Sequence, residues 1–357
     1  MENEEGRPLD FSGIDTTWEY NRHTRAGVQL DARINDEARA VVQFLSRADQ
    51  DFEVETQWAY FSYELSPSVT ARAGRIVLPF YMHSQYTQVG YAYPWIKLPG
   101  EVYDVAALDT MEGMDLTWRL HTGPVSHDVN VLVGAMDVDG AGLPTFEVRN
   151  QHGINLRSRW GNWSTWLGYT NSFIDQDFSG VEFPNPADPN NPFDASGNTL
   201  DGHHAYFSSG GIQYDDGSLV LMAERNLLSI NSDTGWFPDR YGMYVMGGYR
   251  FGRLMPHLTW ARTDHRGRDE ACDGSDPTAC ALYDTIAVKQ ENITLGVRYD
   301  LAPGIALKAE ASRYGHFGDG GGQFSDSQAN PAMGDTPDAV PDTSDPMVFR
   351  VAVDVVF

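Results

Sequence analysis

The chain has 357 residues, a formal net charge of −25 and 12% aromatic residues, with 35 Gly and 17 Tyr. The acidic balance argues against a nucleic-acid partner, which needs a basic surface to neutralise phosphates. No run of about 18 apolar residues occurs and the mean hydropathy is −0.41, which excludes a helical membrane protein but is silent on a β-barrel, whose spanning segments are short and apolar only at alternate positions.

The N-terminus reads Met1-Glu2-Asn3-Glu4-Glu5 with no charged-then-apolar leader, the expectation for a mature chain whose signal peptide has been removed. Residues 1–10 are expected to be a tail and 11–357 a single domain. Period-two patterning then predicts strands at about 11–21, 24–34, 37–48, 54–65, 68–78, 110–122, 125–137, 148–160, 163–175, 203–215, 218–230, 240–250, 254–265, 284–301, 305–317 and 346–357, sixteen in all. Two kinds of connection alternate between them. One is tight and carries turn chemistry, as at Asn35-Asp36, Ser66-Pro67, Gly123-Pro124, Gly161-Asn162, Asp215-Asp216-Gly217, Phe251-Gly252-Arg253 and Ala302-Pro303-Gly304. The other is mostly long, polar and rich in Gly, Pro and Asp, as in 176–202, 266–283 and 318–345. An even-stranded transmembrane barrel with short periplasmic turns and long external loops requires this asymmetry. A β-sandwich does not, and no fixed-period repeat supports a propeller.

Inner and outer faces follow from parity. On the second strand Ala26, Val28, Leu30, Ala32 and Ile34 share the lipid side, leaving Arg25, Gln29, Asp31 and Arg33 for the water side. The same sorting turns Arg39, Gln43, Arg47, Tyr60, Glu64, Arg72, Asp115, Arg119, His121, Arg157, Arg159, Arg250, Arg298, Lys308, Glu310 and Arg350 inward. Arginine therefore dominates the expected lumen, either as a basic lining or as partners for carboxylates. Arg75 breaks the parity of Arg72 and calls for a bulge at Gly74 or a place at the membrane edge. Trp18, Tyr63, Trp118, Trp160, Trp163, Tyr169, Tyr249, Phe251, Trp260 and Tyr299 fall near strand ends and suit interfacial girdles.

Residues 79–109 are too long for a passive turn and hold Tyr81, Tyr86, Tyr91, Tyr93, Trp95 and Tyr103 together with Glu101, Asp104 and Asp109. Loop 176–202 offers Asp188, Asn190, Asp194, Asn198 and Asp201, but at no EF-hand spacing, so a solvated acidic loop is expected and not a calcium site. His203 and His204 are adjacent and point to opposite faces, which disfavours a joint metal site. Cys272 and Cys280 lie close in a polar stretch without a His/Cys quartet, and a local disulfide is expected. The last strand, MVFRVAVDVVF, alternates Phe349, Val351, Val353, Val355 and Phe357 with Arg350, Ala352 and Asp354 and ends on an aromatic.

That ending resembles the assembly signal of Gram-negative outer-membrane β-barrels, with Phe357 as its terminal residue. Together with RAGRIVLPFYMHSQYTQVGYAYPWIKLPGEVYDV at 72–105 and the strand order, the chain is similar to a sixteen-stranded Gram-negative porin, in a poorly characterised proteobacterial porin-like branch. The resemblance covers essentially the whole chain. It implies an all-β transmembrane antiparallel β-barrel in the outer membrane, with 79–109 as the third external loop folded into the pore. It further implies passive diffusion of small hydrophilic solutes, with anionic or zwitterionic ones expected to be favoured, a homotrimer, and dependence on the outer-membrane lipid and assembly machinery. The first external loop, 21–24, is unusually short, so no role in trimer latching is carried over to it. A transverse field is expected between Arg33, Arg39, Arg47 and Arg72 on the wall and Glu101 and Asp104 on the loop, with Tyr60 and Arg119 also lining the pore. No GxSxG or HExxH occurs, so no catalytic residue, metal or cofactor is expected. A surface receptor or adhesin whose loops bind a partner is the alternative, ahead of an outer-membrane hydrolase.

Overall fold

A computed structural model describes residues 9–11, 18, 20, 23–106, 108–140, 143–183, 192–232, 235–317, 324–326 and 346–357. Fifteen strands form one antiparallel meander. They are β1 (Arg25–Arg33), β2 (Ala38–Arg47), β3 (Val54–Ser66), β4 (Val69–Val77), β5 (Thr110–Thr122), β6 (Val125–Gly140), β7 (Leu143–Trp160), β8 (Trp163–Gln176), β9 (Leu200–Asp215), β10 (Leu219–Ile230), β11 (Asp239–Tyr249), β12 (Leu254–Arg266), β13 (Gln290–Ala302), β14 (Ile305–Gly315) and β15 (Met347–Val355). Each pairs with its neighbour in sequence, the least demanding topology for a closing sheet because each of these connections joins spatial neighbours.

The first expected strand, 11–21, lies almost wholly outside the described residues. Leu9–Phe11, two of whose residues were expected in a tail, instead pair with Phe324–Asp326 in a short ribbon apart from the main sheet. A second correction concerns 284–301. Its first residues end a helix, α3 (Pro277–Ile286), and the strand begins only at Gln290. The helix start is legible in retrospect: Asp276 accepts hydrogen bonds from the Thr278 and Ala279 amides, and Pro277 occupies the first turn. The external connection between β6 and β7 is also tighter than expected, since the two strands run on to Gly140 and from Leu143.

Outer faces carry the alternation that lipid selects. Val28 and Leu30 on β1, Ile34 just past its end, and Phe349, Val351 and Val353 on β15 are all exposed, which in water would be an unusually large apolar surface. Toward the short-turn end, aromatics cluster: Trp160 and Trp163 stack across their turn at 6.4 Å between centroids, Trp163 lies 4.8 Å from Tyr214, and Tyr249 lies 4.7 Å from Phe251. Arg75 requires no bulge. Register runs unbroken through Gly74, which pairs with Tyr60 and Gly113, and Arg75 turns outward to meet Glu112 at 2.8 Å on the outer wall. Gly74 is needed for another reason, because its φ is +128° and a Cβ there would stand 2.4 Å from the Ala59 carbonyl.

At the long-loop end, segments after β8, β10 and β12 pack together. Phe178, Ala195, Trp236, Ala279 and Leu282 form a small apolar core of their own. Beside it, α2 (Arg268–Ala271) and α3 are joined by the disulfide Cys272–Cys280, with Cα atoms 4.6 Å apart.

Candidate functional site

The segment between β4 and β5 folds inward. A backbone bond from the Leu78 amide to the Asp109 carbonyl, 2.9 Å, closes its base. Inside it the chain makes tight turns at Ser84–Tyr86 and Gly90–Ala92 and one short helix, α1 (Gly100–Tyr103). Phe80, Tyr81, Met82, Trp95, Val102 and Tyr103 are buried with inward side chains of the wall, among them Trp166, Phe207, Met222, Tyr244 and Met246. That half of the lumen is therefore a hydrophobic core and not a water-filled space.

Polar anchors fix the segment to the wall. Glu224 of β10 accepts from the Met82 amide and the Tyr103 hydroxyl, both at 2.7 Å. Arg157 of β7 donates to the Met82 carbonyl at 2.6 Å. Lys308 of β14 donates to the carbonyls of Gly90 (2.7 Å) and Trp95 (2.6 Å) while pairing with Asp354 of β15 at 2.8 Å. Arg298 of β13 donates to the Tyr91 and Tyr93 carbonyls, Glu310 of β14 accepts from the Ile96 amide, and the Trp95 indole donates to Thr259 of β12. These partners stand on strands from β7 to β15, so the sheet curls around the loop. Gly242 of β11 marks the closest approach: a Cβ there would fall 1.9 Å from the Glu101 carbonyl oxygen. Only glycine lets α1 lie against the wall.

The expected pore-lining residues are placed as follows. Arg33 and Arg39 are paired neighbours across β1 and β2 near the short turn; Arg33 binds Asp36 of that turn at 2.5 Å and Arg39 lies 4.0 Å from Asp31. Arg47 pairs with Glu55 at 3.0 Å. Arg72 makes a two-pronged contact with Asp115 and lies over the Tyr60 ring at 5.3 Å. Arg119 shares Asp128 with Arg159, each at 2.8 Å. Glu101 is buried at 1% exposure, where its carboxylate accepts from Gln290 at 2.7 Å; burial pushes its pKa up. Asp104 is held by Lys97 of the same loop at 2.9 Å. The structure thus brings Arg72 and Tyr60 together but does not set Arg33, Arg39 or Arg72 against Glu101 and Asp104. Each arginine has found a nearer carboxylate, the outcome expected wherever cations and acids share a narrow polar face.

Open space survives on the β1–β2 side. A cavity of about 390 Å³ is lined by Arg25, Arg47, Thr87, Gln88, Tyr93, Lys97, Asp104 and Asp109. A second, water-sized cavity of about 40 Å³ lies beyond Lys97 and Leu98, between α1 and β12–β15, among Glu101, Asn292, Glu310, Tyr314 and Arg350. Lys97 and Leu98 border both. Sequence reasoning passed over Gln88, Lys97 and Glu224. Glu224 carried a usable signal, a lone acid on the inward parity of LVLMAERNLLSI; Gln88 and Lys97 carried none, because a loop has no period to assign their direction.

No protein-family model matches the chain, and no curated protein matches it. Solved structures do. OmpF of Salmonella typhi, in complex with daunomycin, aligns with a TM-score of 0.59 at 12% identity over 98% of this chain and 94% of its own. The anion-selective porin from Comamonas acidovorans aligns at 0.58 and 14%, covering 98% and 96%. OmpT of Vibrio cholerae in its trimer form aligns at 0.55 and 11%, covering 93% and 91%. With its meandering sheet, lipid-type outer face and inward loop, the chain has the transmembrane β-barrel fold of the outer-membrane porins.

Proposed function

We propose that the protein resides in the outer membrane of a Gram-negative cell and acts as a channel for passive diffusion of small hydrophilic solutes. The carrying observation is the cavity of about 390 Å³, with charged side chains beside Tyr81, Ile96, Leu98 and Tyr103 in its wall, left by a loop that otherwise fills the lumen. A barrel of this size leaves an aqueous channel unless something occupies it, and here the occupation is one-sided. The route passes Arg25 and Arg47, then the water-facing parities of β1–β5, where Asp31, Arg33, Arg39, Glu64 and Arg119 remain exposed. Because most of these cations carry a carboxylate partner, ionic selectivity is weak. The work is passage and not turnover. A homotrimer fits the apolar flank of β1 and β15, and insertion uses Phe357, which is fully exposed at the end of β15.

Single-channel current in planar bilayers, with the reversal potential taken in a salt gradient, tests this reading. Discrete conductance steps with a small reversal potential are expected. Folded protein that inserts but passes no current would overturn it.

A further inference from the structure

Four charged side chains at and beside the larger cavity neutralise one another in pairs: Arg47 with Glu55 at 3.0 Å and Lys97 with Asp104 at 2.9 Å. Arg25 and Asp109 do not. Arg25 donates to neutral partners only, the Gln88 side-chain oxygen at 3.1 Å and the Tyr93 hydroxyl at 2.9 Å. Asp109 accepts from two amides, Gln88 at 3.0 Å and Gln57 at 3.4 Å. Among the described residues neither has an oppositely charged group within 4.0 Å, and Gln88 bridges them, oxygen toward the guanidinium and nitrogen toward the carboxylate.

Among the described residues the same cavity therefore presents one unneutralised cation and one unneutralised anion, one amide apart, on fixed supports. Arg25 opens β1 in register with Arg47, and Asp109 closes the base of the inward loop through the Leu78 amide. We propose that Arg25, Gln88 and Asp109 form a recognition site for zwitterions, taking the carboxylate of a free amino acid or short peptide at Arg25 and its ammonium group at Asp109. A guanidinium offers the paired donors that suit a carboxylate, and a carboxylate suits an ammonium. The volume is at the lower end of small-molecule sites, which span roughly 300–1,000 Å³, and accommodates a dipeptide. Gln88 holds the two charges apart in the empty state and is displaced as the solute supplies better partners to both. This inference rests on the channel reading for its setting but not for its test.

The probe is L-alanyl-L-alanine, compared with its N-acetyl form (anion), its C-terminal amide (cation) and the doubly capped form (neutral). In planar bilayers, half-block of the ion current is expected at a concentration about tenfold lower for the free dipeptide than for any capped form, the ratio a single charge-assisted hydrogen bond provides. Arg25→Gln removes the advantage over the amide, and Asp109→Asn removes the advantage over the N-acetyl form. Equal block by all four on the wild type overturns the proposal, as does block by the N-acetyl form matching that of the free dipeptide, so the wild type alone decides the matter even where a variant fails to fold. Titration of the same four compounds by calorimetry reads the site without current. A wild type that conducts nothing but binds the free dipeptide preferentially would sink the channel reading and leave this site standing; conduction without that preference does the reverse.

Discussion

Lys308 is the most informative residue to perturb. Its ammonium group is buried, and its three donors are used on the Gly90 carbonyl, the Trp95 carbonyl and Asp354. Lys308→Met keeps the length of the side chain and removes all three bonds. A hydrogen bond to a charged group contributes about 1.5–3 kcal/mol, so losing the two loop contacts weakens docking of residues 90–97 by about 3–6 kcal/mol. Taking the lower bound, the undocked population of that stretch rises roughly a hundredfold. The remainder of the loop stays down, held by Glu224, Arg157 and the apolar cluster around Tyr81 and Tyr103. Single-channel recordings of the variant should show fast flicker between two current levels, and limited proteolysis should cut within 90–97 at a rate well above wild type. Asp354, left without its cation, adds a separate cost of about 3–5 kcal/mol to folding, and Lys308→Met/Asp354→Asn should relieve that cost while keeping the flicker. A quiet trace with wild-type protease resistance would show that the segment is held by packing and that the ammonium group contributes nothing to its position.

Three other outcomes are expected. Burial, and then Arg157, hold His83 near a pKa of about 3 against an ordinary 6.5, so its contribution to loop docking is complete above about pH 6.5 and falls by about 1.4 kcal/mol per pH unit between there and pH 3; current noise should grow as pH drops through this window, and a His83→Gln variant with the same acid response would refute the assignment. Reducing Cys272–Cys280 frees the nine-residue loop it closes, worth about 2.5 kcal/mol by the chain-entropy relation; α2 and α3 should become protease-sensitive while the heat-induced gel shift of the barrel is unaltered, and a lowered shift temperature would show the cap to be part of the barrel's cooperative unit. Deleting Phe357 should lower the yield of inserted protein with little change in unitary current, because its ring is exposed beyond β15; equal yields would remove it as an assembly signal.

The strands were legible because lipid enforces a strict period of two. Val28, Leu30, Phe349 and Val351 declare an outer face without reference to any other part of the chain, and the boundaries of β5, for instance, were readable to the residue. Segment 284–289 misled for the same reason: short apolar stretches such as Ile286-Ala287-Val288 suit either a strand or a helix, and the Asp276-Pro277 start signal decided for the helix up to Ile286. The charged lumen was half legible. Parity gave a direction for Arg47, Arg72 and Arg119, but parity says nothing about partners. Asp115 opposite Arg72 and Asp128 between Arg119 and Arg159 are contacts across strands, fixed by register, and register is not written in any one strand. Glu101 failed for a further reason. An acid in a loop reads as solvated, and only the approach of α1 to Gly242 and Gln290 buries it.

These two failures share a physical cause that also explains the half-filled lumen. A porin-type loop must leave water on one side while being held on the other, and the loop here satisfies both by segregation along its own length. Phe80, Tyr81, Met82, Trp95, Val102 and Val105 give it an apolar side that removes the wall from β7 to β12 from water, whereas Gln88, Lys97, Asp104 and Asp109 give it a polar side facing β1 and β2. The buried anchors Glu224 and Lys308 are tolerated inside the apolar half because each is saturated by loop groups, Glu224 by an amide and a hydroxyl and Lys308 by two carbonyls and a carboxylate. Every charge committed to holding the loop is thereby withdrawn from the pore. Among the described residues lining the polar side, Arg25 and Asp109 are held by amides and a hydroxyl instead.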